Sequence, residues 1–94
     1  MSVRVLLPRL LSECTGGRTS LDIDLPAPGT VCALLDALAA AHPMFDRRVR
    51  DETGTLRRHV NVYVDGEDVR RADGLTTAVP PGAEVLVIQS VAGG

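Results

Sequence analysis

The chain ends in Ser90-Val91-Ala92-Gly93-Gly94, so two residues without side chains precede a terminal carboxylate. Such a carboxylate, with a reference pKa of about 3.3–3.7, is ionised at neutral pH and is a poor electrophile until something activates it. Glycine at both final positions lets the backbone take φ values closed to other residues and removes bulk that a narrow channel would reject. Five extended residues reach roughly 17 Å. That reach can carry a terminus into a buried pocket of another protein while the body stays outside. A glycine pair alone is a weak signal, since Gly16-Gly17 supplies another in mid-chain. Its weight comes from place: it follows an apolar run that ends at Gln89.

Few other residues are spaced for chemistry. Cys32 falls in the first turn of an expected helix, where the dipole can lower a thiol pKa, but it also sits beside an apolar stripe as a small semi-buried filler. Cys14, before Gly16, reads as a surface thiol. Cys14, Cys32, His42 and His59 lack zinc-like spacing, so no metal site is expected. Two cysteines are also too few for an iron–sulfur cluster, which takes four. No nucleophile–base set, phosphate-cradling loop or carboxylate pair stands out. Arg47-Arg48 with Arg50, Arg57-Arg58 and Arg70-Arg71 form three basic clusters, read either as solvated surface or as a docking patch for an acidic partner face. All ten basic residues are arginine. Apart from its N-terminus the chain therefore offers no amine to attack an activated carboxyl.

The bulk properties narrow the class. With 94 residues the chain is one domain, close to the lower limit for folding without staples. It is 45% hydrophobic with one Phe, one Tyr and no Trp, so the core is aliphatic and no platform exists for stacking bases. A net charge of −2 gives no reason to expect nucleic acid or an anionic membrane as partner. No signal-type run or membrane-length apolar stretch occurs, which leads to the expectation of a cytoplasmic protein.

Elements that could hold the tail follow from periodicity. Val3, Val5 and Leu7 alternate as a strand that Pro8 closes. Arg9 to Arg18, containing Thr15-Gly16-Gly17, reads as a loop or wide turn. Leu21, Ile23 and Leu25 alternate with Asp22 and Asp24 as a second strand, hairpinned to the first. After the turn cluster Pro26-Ala27-Pro28-Gly29, Thr30 stands as an N-cap for a helix with a Val31, Leu34, Leu35, Leu38 stripe, ended by Pro43. A short helical turn is expected in 44–50 and an exposed turn at 51–54. Val60, Val62 and Val64 form a third strand ending at the tight-turn pair Asp65-Gly66, with a short return strand beginning at Val69. Residues 74–79 read as irregular or a single turn, and Pro80-Pro81-Gly82 turns the chain again. The run from Glu84 to Gln89 reads as a central strand covered on both faces, lying beside the first strand.

This order, with a final apolar strand emptying into Gly-Gly, is similar to the ubiquitin-like sulfur carriers of the MoaD/ThiS type. The resemblance spans the whole chain. It is carried by the run Val60-Asn61-Val62-Tyr63-Val64-Asp65-Gly66-Glu67-Asp68-Val69-Arg70, by Gly74-Leu75-Thr76-Thr77-Ala78-Val79, and by Val91-Ala92-Gly93-Gly94. Within the family the chain looks most like the thiocarboxylate carrier of cysteine biosynthesis. One departure is Ala83 after Gly82, where the family usually places an acidic residue. The implied fold is α+β, a β-grasp mixed sheet of four to five strands packed on one main helix, with 1–89 as the domain and 90–94 as a flexible tail.

The resemblance also implies chemistry. An E1-like adenylyltransferase of the MoeB/ThiF type would use ATP to activate the carboxylate of Gly94, and persulfide or sulfide from a sulfurtransferase or other sulfur donor would convert it to a thiocarboxylate. A sulfur-accepting biosynthetic enzyme would then take the sulfur, with Val91, Ala92 and Gly93 read by partners and a metalloprotease as a further candidate that trims the tail. The chain itself is expected to bind no cofactor and to be no enzyme. Cysteine synthesis is favoured; secondary-metabolite, molybdopterin and tRNA thiolation pathways stay open. Two other readings remain: a protein modifier forming isopeptides with target lysines, and a plain binding module with an inert terminus.

Overall fold

A computed structural model describes residues 1–90; the four residues 91–94, which include Gly93 and Gly94, lie outside the described part. Seven strands and three α-helices follow one another as β1 (Ser2–Leu6), α1 (Arg9–Ser12), β2 (Ser20–Asp24), β3 (Gly29–Thr30), α2 (Val31–Ala41), α3 (Pro43–Val49), β4 (Val60–Val64), β5 (Glu67–Asp68), β6 (Ala78–Val79) and β7 (Glu84–Gln89). Five of the strands form one sheet in the order β2-β1-β7-β4-β5, and β3 pairs with β6 in a small second ladder. The β1–β7 pair is parallel, with Val5 opposite Val85. Its flanking ladders are antiparallel, with Val5 opposite Leu21 and Val62 opposite Val87. This is the mixed-sheet, single-main-helix arrangement expected from the sequence.

The alternating valines explain the packing. Val3, Val5, Val60, Val62, Val85 and Val87 are fully buried on one face of the sheet, where the α2 stripe Val31, Leu34, Leu35 and Leu38 meets them. Period-2 and period-3.6 patterns thus converge on one aliphatic layer. Helix α2 starts where the sequence places it: the Thr30 hydroxyl accepts from the Ala33 N–H at 3.1 Å. Pro43 ends α2 and also opens α3 at its first turn, where a missing N–H costs nothing. Phe45 and Val49, four residues apart, anchor α3 in the core.

Three expectations need correction. Arg9 to Arg18 is not all loop: Pro8 closes β1 and its carbonyl then accepts from the Leu11 and Ser12 N–H groups, starting α1 and a 3-10 turn over Glu13–Thr15. The fully buried Leu11 supplies the tertiary anchor that so short a helix needs. The return strand after Asp65-Gly66 is Glu67–Asp68 and ends before Val69, which opens a 3-10 turn. Asp65 and Gly66 both have positive φ, 49° and 86°, so the reversal takes only two residues and pairing resumes at once. Within 74–79, read as irregular or a single turn, Gly74–Thr76 is a 3-10 turn, but Ala78–Val79 is a strand because Thr30 and Gly29 lie opposite it. At Gly29 a Cβ would sit 2.5 Å from the Met1 Cε, so a larger residue there would have to displace the end of that side chain.

The exposed turn after α3 is built around one carboxylate. Asp51 Oδ1 accepts from the Thr53 N–H, the Thr53 hydroxyl and the Thr55 N–H at 2.9, 2.6 and 3.1 Å. The Thr53 hydroxyl most of all holds the carboxyl below its ordinary 3.8; burial opposes it, and the backbone donors and Arg57 add to the lowering.

Two predictions follow from this frame. Thr30→Ala should cost about 1 kcal/mol and lower the thermal midpoint by about 4–8 °C, read by calorimetry. Asp51 stabilises the fold fully above its unfolded value and loses that contribution as pH falls through its lower folded value. The stability gap between the wild type and Asp51→Asn, measured by urea titration, should therefore close as the pH drops below about 3.8; a gap that widened on acidification would contradict the turn's assignment.

Candidate functional site

The last described residues form the root from which the tail departs. Strand β7 is central, but its two neighbours end at different points. Pairing with β1 stops at Leu86, whereas pairing with β4 continues to Gln89 opposite Val60. Beyond the last pair the Ser90 N–H donates to the His59 carbonyl at 2.8 Å. The chain is thus held to the β4 side through Ser90, while its β1 side is free of ladder partners over the last three strand residues. Pro8, lacking an N–H, and the turn into α1 stop β1 from following.

Gln89 closes the buried face at this end. Its amide nitrogen lies 3.1 Å from His59 Nε2, and its Oε1 is buried without a partner. The contact sets the Gln89 side chain against His59 beside the tail root. Neither residue was singled out for this role from sequence; a polar residue ending an apolar run is the signal that marks it.

The outer face of the sheet carries the other feature of the site. β7 was expected to be covered on both faces. Instead Val85 and Val87 are buried while Leu86 and Ile88 are only half-buried, because the helices cover one side of the sheet and nothing among the described residues covers the other. Leu6, Leu86 and Tyr63 stand in register across β1, β7 and β4, and Ile88 lies one pleat nearer the tail opposite Asn61. All four are half-buried. The result is an apolar band leading along β7 to the tail root. Alternation along Glu84–Gln89 contained this signal, but a continuous apolar run hides which half faces out.

The remaining candidates separate clearly. Both cysteines are free thiols of intermediate burial. Cys14 packs against the core and is not the surface thiol expected of a loop. Cys32 is the semi-buried filler, its thiol 3.9 Å from an Asp36 oxygen. Among the described residues no group of three His, Cys, Asp or Glu side chains could hold a metal, and no helix is long and apolar enough to cross a membrane.

The arginines are not uniformly solvated. Arg50 is 9% exposed, with Nε 2.7 Å from Asp46 and Nη1 2.9 Å from Asp36. Burial alone would lower its pKa, but hydrogen bonds and charge from Asp46 and Asp36 outweigh that and hold it above the ordinary value. Arg70 donates to the carbonyls of Val60 and Arg57 and to Asn61 Oδ1. Arg57 Nε donates to the Arg47 carbonyl at 2.8 Å. The proposed tail residues Val91, Ala92, Gly93 and Gly94 lie outside the described part.

Comparison with known proteins decides the family. The ThiS family matches residues 5–94. The chain belongs to the ThiS family. It is 38% identical to the sulfur carrier protein CysO of Mycobacterium tuberculosis, over 100% of both chains. The crystal structure of SAMP1 from Haloferax volcanii superposes with a TM-score of 0.85 at 33% identity, covering 100% of both chains. CysO in the Amycolatopsis orientalis BexX/CysO complex superposes at 0.79 with 35% identity, covering 98% of this chain and 99% of that one. The ubiquitin-like β-grasp architecture implied by the sequence is therefore the architecture of this ThiS-family chain, and Ala83 in place of the usual acidic residue is accommodated as a buried core residue.

The two faces of the sheet should respond differently to truncation. Leu35→Ala, beneath the buried face, should cost about 3 kcal/mol, whereas Ile88→Ala on the outer face should cost about 1 kcal/mol or less. Denaturant titrations check this, and equal costs would mean that the outer band is packed within the molecule.

Proposed function

We propose that this ThiS-family protein is a sulfur carrier, with residues 90–94 as its working tail and the carboxylate of Gly94 as the group that carries sulfur. The observation that supports this most directly is full-length similarity to sulfur carrier proteins, combined with a Gly-Gly terminus five residues beyond a central strand. The tail root is anchored through Ser90 and Gln89, so the body can hold its orientation while the four residues beyond, roughly 14 Å of extended chain, enter a partner.

The chemistry follows from the carboxylate. An oxygen of Gly94 attacks the α-phosphorus of ATP on an E1-like adenylyltransferase, forming an acyl adenylate and releasing pyrophosphate. Sulfide then attacks the acyl carbon, AMP leaves, and a thiocarboxylate remains; a persulfide donor gives the same product once a thiol has cleaved the resulting disulfide. The sulfur is now a strong nucleophile and passes to an acceptor in a biosynthetic enzyme. Binding and placement come from the carrier, and catalysis from its partners. Neither ATP nor any other cofactor needs a site on this chain. The outer band of Leu6, Tyr63, Leu86 and Ile88 supplies the apolar contact for such partners, and the CysO named in the BexX/CysO complex is a relative that works in company. Cysteine synthesis is the favoured pathway, on the similarity to CysO.

Similarity to a small archaeal modifier protein supports a second reading, in which the same activated tail forms isopeptides with lysines of other proteins. The absence of lysine from this chain leaves it without a side-chain acceptor for chains of itself.

Intact-mass analysis after incubation with the adenylyltransferase, ATP and sulfide should show one oxygen replaced by sulfur. Deleting Gly94 should abolish that shift and leave the thermal midpoint unchanged. A truncated chain that still carries sulfur would overturn the proposal, and high-mass conjugates in place of the thiocarboxylate would establish the modifier reading.

A further inference from the structure

Arginines gather at the end of the sheet where β7 reaches Ser90, and among the described residues most of them pair with no carboxylate. Strand direction puts them there. Because β1 and β7 are parallel, the residues after β1, those before β2 and those before β4 all gather at the end where β7 releases the tail. Arg9, Arg18, Arg57 and Arg58 occupy those positions, and the guanidinium of Arg70 reaches the same place by bonding to the Val60 and Arg57 carbonyls.

The manner of bonding separates these arginines from others in the chain. Arg4 lies 3.7 Å from Asp22, and Arg50 binds Asp36 and Asp46. Arg70 instead donates to neutral oxygens, which fix a cation in place without compensating it, while Arg57 donates to the Arg47 carbonyl and is partly offset by the Asp51 charge. Among the described residues no carboxylate pairs with Arg9, Arg18 or Arg58, and Arg9 and Arg58 are exposed. Glu13 and Glu52 are the exposed acids nearby, and the Asp51 carboxylate is turned onto its own loop. The far end of the sheet leans to the opposite sign, with Asp22, Asp24, Asp65, Glu67 and Glu84 exposed there against Arg4, Arg71 and the Met1 ammonium. A chain of net charge −2 is therefore polarised along its strands.

We propose that this arginine collar is a docking surface for a protein partner whose tail-accepting channel has an acidic rim. The inference rests on the tail being inserted, as proposed above. With only five residues beyond β7, insertion brings the collar against the mouth of the channel, where complementary charge orients the carrier before the tail enters. Net negative charge, the acidic far end and a single tyrosine argue for a protein rim over a nucleic acid.

The test is ATP–pyrophosphate exchange by the host's E1-like adenylyltransferase, with the full chain as substrate, across a salt series. For the wild type KM should climb with salt, since screening shortens from about 10 Å at 0.1 M to about 3 Å at 1 M. Combined Arg9→Glu and Arg58→Glu should raise KM about tenfold at low salt, leave kcat unchanged and flatten the salt dependence. Combined Arg9→Lys and Arg58→Lys should restore wild-type KM. The far-end pair Asp22→Arg and Glu67→Arg should leave KM within about twofold, and thermal midpoints should match throughout. An unchanged KM in the Arg9→Glu, Arg58→Glu chain, or an equal response to the far-end pair, would overturn the collar while leaving the tail chemistry intact. A wild type that is not adenylated at all would overturn the tail reading and the collar with it. Transfer RNA bound as tightly as the enzyme, and lost in the same variant, would replace the acidic protein rim with a nucleic acid.

Discussion

The parallel pairing of β1 with β7 sets the geometry from which the other features descend. A parallel pair cannot be closed by a tight hairpin, so the intervening chain must travel out and return, and here it supplies β2, the helices and β4 along the way. With β7 last in sequence and central in space, its antiparallel partner β4 and its parallel partner β1 clamp it from both sides. The chain's start and its tail root consequently lie at opposite ends of the sheet. The Met1 ammonium is tied to Asp24 and the Leu25 carbonyl at one end, while Ser90 leaves past His59 at the other.

One sheet, covered once, accounts for the division between stability and recognition. The α2 stripe meets the valine face and buries it completely, which supplies the main hydrophobic stabilisation of a domain this small. The opposite face keeps Leu86, Ile88, Leu6 and Tyr63 half-buried in a row that runs toward the tail. A band of this kind contributes little to folding, and a contiguous apolar strip running to the end of β7 fits a surface that is covered when a partner binds.

Polar side chains finish what the aliphatic layer cannot. Asp65 pins the β4–β7 end by accepting from the Glu84 N–H at 3.0 Å while its own N–H donates to the Glu84 carbonyl. Arg50 joins α2 to α3 through Asp36 and Asp46, a nearly buried cation made tolerable by two carboxylates. Arg70 ties its 3-10 turn to the start of β4 through backbone oxygens. Equal residues thus do unequal work: one arginine is neutralised within the fold, the other is held with its charge still available.

The sequence by itself determined what is local. Period-2 valines marked β1 and β4, a continuous apolar run marked β7, the Val31–Leu38 stripe marked α2, Thr30 marked its cap, and Asp65-Gly66 marked the reversal, because side-chain direction and turn geometry depend on residues a few positions apart. The Gly-Gly ending and the family it resembles were legible for the same reason, as a contiguous motif. Tertiary structure decided the rest. Helix α1 exists because Leu11 found the core; β6 exists because Gly29 and Thr30 lie opposite it. Which half of the β7 run faces outward, which arginines meet carboxylates, and which basic clusters share one end of the sheet all depend on partners many residues away. No periodicity names such a partner, since a run of apolar or charged residues reads the same whether its neighbour is a helix, a carboxylate or solvent.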